Sequence, residues 1–510
     1  MIRTLTGIAL AGGLFCLVPA LSPAQEGAVV AVVESTTVDT APALVRALQE
    51  VQPERISADL HFIASDAMAG RNTPSKELEV AAHFLRARLQ QLGFAPGAGE
   101  SYFYEYPLVS SALDADACWA GWTSKAGEQK LELAKDYYFG TWRVDESATV
   151  SGPVVSIGSG SDDELEGLDL TGSWAMVLDR DQMKTRGVLR AISKLGGAGL
   201  LVVQSSDYSG EPLVDRFGGE RFDSLVKGDV RFPRGEGERQ SRASTPTVYL
   251  DRPATVRLLA ACTGSTGAAD WFPKAGTNTG LTFTEERVMQ AEDGHLMVKN
   301  VCGLWPGGDP ELSKEVILVS AHYDHVGVQG GEIFNGADDN GSGTSGVLAV
   351  ADALKAYGPM KRTVMLMWVS GEEKGLWGSK AWSNNPLLPE GHRVVADLNI
   401  DMIGRNDPHE LFITPTREHK QYNAIAEAAM RLAPLEGFPK LDSADDYYHR
   451  SDQAEFARLG IPVAFLFAGI HEDYHRPSDT PDKIDYEKLS RVVRLVVRLL
   501  DELQTMPLGK

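Results

Sequence analysis

Three short apolar runs in the second half of the chain each end in a histidine or a carboxylate, and this restricts the fold more than any other feature. Val316-Ile317-Leu318-Val319 leads to His322, Val364-Met365-Leu366-Met367-Trp368-Val369 to Glu372 and Glu373, and Leu398-Asn399-Ile400 to Asp401. Runs this short and apolar, alternating with stretches of helical spacing, have the pattern of buried parallel strands. In an open α/β sheet, ligands sit in the crevice beyond the carboxyl ends of the strands. Residues far apart in the chain are therefore expected to meet at one edge of the sheet. A single acid after a strand ordinarily just ends it and faces water. A series made only of imidazole and carboxylate asks for another explanation.

Zinc accepts imidazole and carboxylate, and catalytic zinc keeps one position open for water. Two such ions, about 3.5–4 Å apart, need a group that binds both. An aspartate in a tight glycine-rich turn can present both its oxygens outward. Asp339, in Gly336-Ala337-Asp338-Asp339-Asn340-Gly341-Ser342-Gly343, is that candidate. Asp324, two residues after His322, could accept the other ring N–H of that histidine.

These motifs carry a resemblance. H-x-D at His322, D-[DN]-G-S-G at Asp339, G-E-E-x-G-L-x-G-S at Glu372, D-M-I-G at Asp401 and D-Y-H-x-x-x-D-T at His475 follow in order. Together they resemble the co-catalytic zinc aminopeptidases, a family that includes leucyl-type aminopeptidases and, more distantly, glutamate carboxypeptidase II and the transferrin receptor. The resemblance implies two Zn2+ ions per chain, held by His322, Asp339 (shared), Glu373, Asp401 and His475. It also implies Glu372 as general base, Tyr474 as a group steadying the oxyanion, and a cis peptide between Asp339 and Asn340. The implied activity is removal of residues from the N-terminus of peptides. A carboxypeptidase or dipeptidase on the same metal centre is the alternative. A carboxypeptidase would need arginines aimed at a terminal carboxylate, and Arg405 and Arg450 are candidates. Asp452, within Asp445-Asp446-Tyr447-Tyr448-His449-Arg450-Ser451-Asp452, is a further candidate for the substrate side.

Two rivals of other classes stand beside this reading. His471-Glu472-Asp473-Tyr474-His475 matches H-E-x-x-H, the single-zinc protease signature, which requires a helix. Gly469 before it and Pro477 after it argue for a loop, leaving His471 a structural role. A receptor-like protein without catalysis would be expected to have lost ligands, and none is missing.

The chain has 510 residues, enough for two or three domains. A net charge of −21 argues against nucleic acid or an anionic membrane as partner. Peptide is the expected partner. Residues 1–24 have an early Arg3, an apolar run and small residues at Ser22-Pro23-Ala24, as an export signal does. The expected location is periplasmic or extracellular. Beyond that segment Cys118, Cys262 and Cys302 are too few to build a disulfide framework.

The expected fold is α/β: a mixed, mostly parallel sheet flanked by helices, zinc exopeptidase-like, with an inserted β-rich α+β domain. Residues 40–115 and 281–510 make up the catalytic domain, and residues 116–280 the insert. In the insert, Arg190-Ala191-Ile192-Ser193-Lys194-Leu195-Gly196-Gly197-Ala198-Gly199 resembles the core of the protease-associated domain. Residues 215–237, rich in Arg, Gly and acids, are expected to form a long exposed loop.

Overall fold

The computed structural model describes residues 42–140, 147–233, 245–263 and 271–508. The expected export signal, residues 1–24, lies outside them. Two large sheets organise the rest. In the ten-stranded sheet the order is Asp442–Ser443, Phe412–Thr414, Val463–Phe467, Arg393–Asp401, Glu315–His322, Thr363–Val369, Met289–Trp305, Phe103–Leu113, Asp229–Arg231, with Ala95–Pro96 paired off this path to Met289–Trp305. Its four central strands, Val463–Phe467 through Thr363–Val369, run parallel. Antiparallel strands flank them on both sides.

Alternation along the central strands divides the apolar side chains between two layers. Ile317, Val319, Leu366 and Trp368 face a core built with helices such as Lys76–Leu92, Gly343–Tyr357 and Tyr486–Glu502. Val316, Leu318, Met365 and Met367 face a second core with Trp382 and Phe456. A sheet covered on both faces needs apolar residues at every position, which is why these strands read as continuous runs. Lys76–Leu92 begins at Ser75, whose hydroxyl accepts from the Leu78 N–H, and ends at Gly93 with φ 88°. Asp485 caps the C-terminal helix through the Lys488 N–H.

The second sheet has eight strands, in the order Gly127–Leu131, Trp119–Ser124, Asn278–Arg287, Ala148–Ser156, Trp174–Asp179, Gly199–Gln204, Thr247–Leu250, Tyr137–Phe139. Strand Asn278–Arg287 spans the boundary expected at 280 and pairs entirely within this sheet. The crossing back to the large sheet comes at Met289. The expected loop at 215–237 is different. Helices Leu213–Phe217 and Glu220–Lys227 and strand Asp229–Arg231 occupy its described part. Leu213 and Phe217 are buried in a core beside the eight-stranded sheet, and Asp229–Arg231 pairs with Phe103–Leu113 at the edge of the ten-stranded sheet. Apolar residues spaced through a charged segment anchored it where composition alone suggested solvent. Cys118, Cys262 and Cys302 are free thiols, Cys118 and Cys302 buried. Among the described residues no helix is long and apolar enough to cross a membrane.

Candidate metal centre

The parallel register brings the strand ends side by side. His322 closes Glu315–His322, directly across from Val369, the last residue before the turn carrying Glu372 and Glu373. Asp401 closes Arg393–Asp401. Asp339 comes from the turn preceding helix Gly343–Tyr357, and His475 from the loop after Val463–Phe467. These side chains form two groups that share Asp339. In one, His322 Nε2 stands 3.4 Å from Asp339 Oδ1 and 3.3 Å from Asp401 Oδ1. In the other, His475 Nε2 stands 3.0 Å from Asp339 Oδ2 and 3.1 Å from Glu373 Oε2. His325 joins this second group, with Nδ1 2.8 Å from Glu373 Oε1. The peptide between Asp339 and Asn340 is cis.

Such a cluster fits a pair of cations. The buried atoms His322 Nε2, His475 Nε2 and Asp401 Oδ1 have no hydrogen-bond partner, though each faces the gap between the others. Burial opposes charge on His322, yet Asp401 and Glu372 raise it well above the usual histidine range. Burial also opposes charge on Asp339, but the imidazoles of His322 and His475, at 3.4 and 3.0 Å, hold its carboxyl well below the usual range. Glu372 is pushed well up by burial, and Asp452, Glu373 and Asp401 add to the rise against the attraction of His322. Positive charge is what this gap lacks, and divalent cations held by imidazole and carboxylate would supply it.

Surrounding groups fix the donors. Asp324 is fully buried; its carboxylate accepts from the Thr73 hydroxyl at 3.0 Å and the Glu372 N–H at 3.2 Å. His322 Nδ1 lies 3.3 Å from the Asp324 carbonyl and 3.7 Å from its carboxylate, so Asp324 links His322 to the turn bearing Glu372. Ser451 donates to Asp401 Oδ2 at 2.8 Å, leaving Oδ1 for the gap. Asp479 accepts from the Asp338 and Asp339 N–H groups at 3.0–3.2 Å and so holds the turn itself. Beneath the centre lies Arg71, completely buried, donating to the carbonyls of Ile63, Tyr323, Asn335 and Gly336 at 2.6–3.0 Å. Its guanidinium pins the segments next to His322 and Asp339. Gly70, at φ 68°, lets the chain turn there; a Cβ would come 2.3 Å from the Phe334 carbonyl.

The remaining candidates are placed as follows. Tyr474 stacks on His475, ring centroids 4.0 Å apart, with its hydroxyl pKa raised by burial and by the carboxylates of the centre. His471–His475 is a turn rather than a helix, and His471 points away to Asp338 Oδ2 at 3.2 Å. That geometry overturns the H-E-x-x-H rival. Arg405 is not free on the substrate side: Asp473 takes its Nη2 at 2.8 Å, and its side chain is largely buried. Asp452 also does not line a substrate surface. It is fully buried, accepts from the Ser379 hydroxyl at 2.6 Å, and is pushed up to about 7 by burial, with Asp324 and Asp401 adding to it. Arg450 is exposed, with its guanidinium 5.4 Å from the Tyr447 ring. Three residues of the centre were not expected from the sequence: Arg71, Ser451 and His325. His325 was visible as the second histidine of His322-Tyr323-Asp324-His325. The other two give no signal in spacing, because their partners are backbone carbonyls or lie 50 residues away.

Residues 300–500 match the model of peptidase family M28. This region of the chain is similar to that family. Over 204 residues the chain is 31% identical to a probable leucine aminopeptidase of Arthroderma otae, a match covering 38% of this chain and 56% of the relative. Over 188 residues it is 36% identical to leupeptin-inactivating enzyme 1 of Streptomyces exfoliatus, covering 36% of this chain and 38% of that protein. The chain thus spans about half, or less, of the length of these relatives. The fold is similar to that of an aminopeptidase from Aneurinibacillus sp. strain AM-1, with TM-score 0.52 and 20% identity, covering 92% of this chain and 97% of that one. The M28 region includes every residue of the two groups around Asp339.

Proposed function

We propose that the protein is an exported two-zinc aminopeptidase that uses Glu372 as general acid and base. The observation that carries this reading is Asp339: its two oxygens serve separate groups, one with His322 and Asp401, the other with Glu373, His475 and His325. A carboxylate divided in this way is what a pair of ions requires. The M28 relatives that bear the name aminopeptidase support the choice of substrate end.

Bound in the two groups, the ions would supply Lewis-acid activation of water and of the scissile carbonyl. The protein's own part is proton traffic and positioning. Glu372 sits beside the groups without belonging to either, and its carboxyl holds a proton more readily than an ordinary glutamate. Cations in the groups would draw that affinity back down, toward the range where a carboxylate can take a proton from attacking water and pass it to the leaving amine. Asp324 fixes the Glu372 backbone, and the stacking of Tyr474 on His475 keeps it beside the second group, which supports its role as donor to the oxyanion. Sequestering Arg405 with Asp473 removes one of the two arginines that could have recognised a terminal carboxylate.

Peptides blocked at either end separate the readings. Release of free amino acid from C-blocked but not N-blocked peptides is expected; the reverse would make the protein a carboxypeptidase. Glu372→Gln is expected to keep its zinc and lose at least about a hundredfold in turnover. Near-normal turnover with full zinc would remove Glu372 from the mechanism. Export predicts that the mature protein recovered outside the cytoplasm begins near residue 25; recovery with residues 1–24 intact would count against it.

A further inference from the structure

His325 occupies a place that the five-ligand reading leaves unexplained. It is 0% exposed, its backbone N–H donates to the Arg71 carbonyl at 3.3 Å, and its ring lies against Gly336. A Cβ at Gly336 would come 2.4 Å from the His325 ring, so the glycine, at φ 58°, is what admits the imidazole. The ring then points Nδ1 at Glu373 Oε1, 2.8 Å away, while Asp339 Oδ2 is 3.8 Å away. The other oxygen of Glu373, Oε2, faces His475 Nε2 at 3.1 Å. The two oxygens of one carboxylate therefore have different neighbours. A carboxylate only accepts, so Nδ1 carries the proton of the short contact.

We propose that His325 is a positioning residue that caps Oε1 of Glu373 and leaves Oε2 alone to meet a cation. An uncapped carboxylate can bind through both oxygens, as larger oxygen-loving ions demand. Capping one oxygen restricts Glu373 to a single bond, which suits the low coordination number of zinc. The clamp thus tunes the affinity and metal preference of the half-site containing Glu373 and His475, and leaves the half-site of His322 and Asp401 untouched. Nδ1 is the ring nitrogen that stands against both Glu373 and Asp339, so binding an ion through it would require it to give up Glu373. This inference rests on the two-metal reading.

Zinc titrated calorimetrically into the metal-free full chain tests it, using wild type, His325→Ala and His325→Asn. His325→Asn puts an amide N–H near the place of Nδ1 and serves as the conservative rescue. Melting of each metal-free variant checks that it is folded. His325→Ala is expected to weaken one of two zinc-binding steps by about 10- to 100-fold, the usual scale for a residue that orients a ligand, with the other step unchanged. His325→Asn should recover most of that loss, and manganese should compete better against zinc in His325→Ala than in wild type. Titration of His325→Ala identical to wild type would overturn the clamp. So would a folded His325→Asn as weak as His325→Ala, or loss of a whole zinc equivalent that His325→Asn does not restore, which would make His325 a ligand. Wild type that takes up no zinc would instead defeat the two-metal reading, and the clamp with it.

Discussion

Both large sheets bury carboxylates, and they neutralise them differently. In the inserted sheet Glu285 faces the core from strand Asn278–Arg287, completely buried, and meets the guanidinium of Arg287 at 2.6 Å. The charge has its counter-charge two residues away on the same strand. In the ten-stranded sheet Asp339, Glu373 and Asp401 are drawn together at the strand ends, with imidazoles as the groups that face them in ion-pair distance. A protein gains nothing by burying several carboxylates around a gap unless something positive fills it. The inserted sheet shows that this chain pairs a buried acid with an arginine where no other demand is made. The cluster that faces imidazoles alone is therefore the one with a task.

The sharpest way to break that comparison is to remove the shared group. Asp339→Ala is expected to abolish both zinc sites, whereas Asp401→Ala should leave one. Metal content by mass spectrometry after dialysis reads this directly: close to none against one, with wild type at two. Equal losses in the two variants would mean that Asp339 is not shared.

Arg71 tests whether the buried cation beside the ten-stranded sheet is structural. Its four hydrogen bonds go to backbone carbonyls, and burial brings its pKa down to about 10, against the pull of Asp324 and Asp479, so it stays charged at neutral pH. Arg71→Met leaves those carbonyls unsatisfied. A loss of about 3–5 kcal/mol is expected, the scale for breaking a buried charged network, measured by denaturant unfolding of the metal-free protein. A loss under about 1 kcal/mol would show that the loops around Tyr323 and Gly336 are held by other contacts.

The ten-stranded sheet was legible because two independent patterns coincide in it. Continuous apolar runs mark strands covered on both faces, and the acid or histidine at each end marks the crevice. The helices Lys76–Leu92 and Tyr486–Glu502 carry buried apolar residues at helical spacing, and each begins at a capping side chain, Ser75 and Asp485. What stayed hidden acts across chain distance. Arg71 reaches Tyr323, and Ser451 reaches Asp401, through contacts that only the fold creates. Arg405 and Asp452 carry the right chemistry for a substrate surface, but burial and the partners Asp473 and Ser379 take them out of it. Residues 215–237 misled through composition, since Leu213, Phe217 and the strand pairing of Asp229–Arg231 outweigh the surrounding charge.

The smallest effect expected belongs to the inserted pair, and its pH dependence has a definite sign. Burial pushes Glu285 up to about 7 from an ordinary 4.5, more than the attraction of Arg287 brings it down. The folded protein thus holds a proton at Glu285 more tightly than the unfolded chain does. Its contribution to stability is full below the unfolded value and is lost as pH climbs through about 4.5 to 7. A tenfold difference in proton affinity between the folded and unfolded chain corresponds to about 1.4 kcal/mol, so the loss is at most on the order of 3 kcal/mol. Glu285→Gln keeps the shape and cannot ionise. Urea midpoints of wild type should therefore fall between about pH 5 and about pH 8 relative to those of Glu285→Gln, whose curve lacks this component. Removing the acid also leaves Arg287 without its partner, which lowers the variant at both pH values and so drops out of the comparison between them. Parallel curves for the two proteins would show that Glu285 is ionised throughout, with Arg287 holding it as firmly as water would.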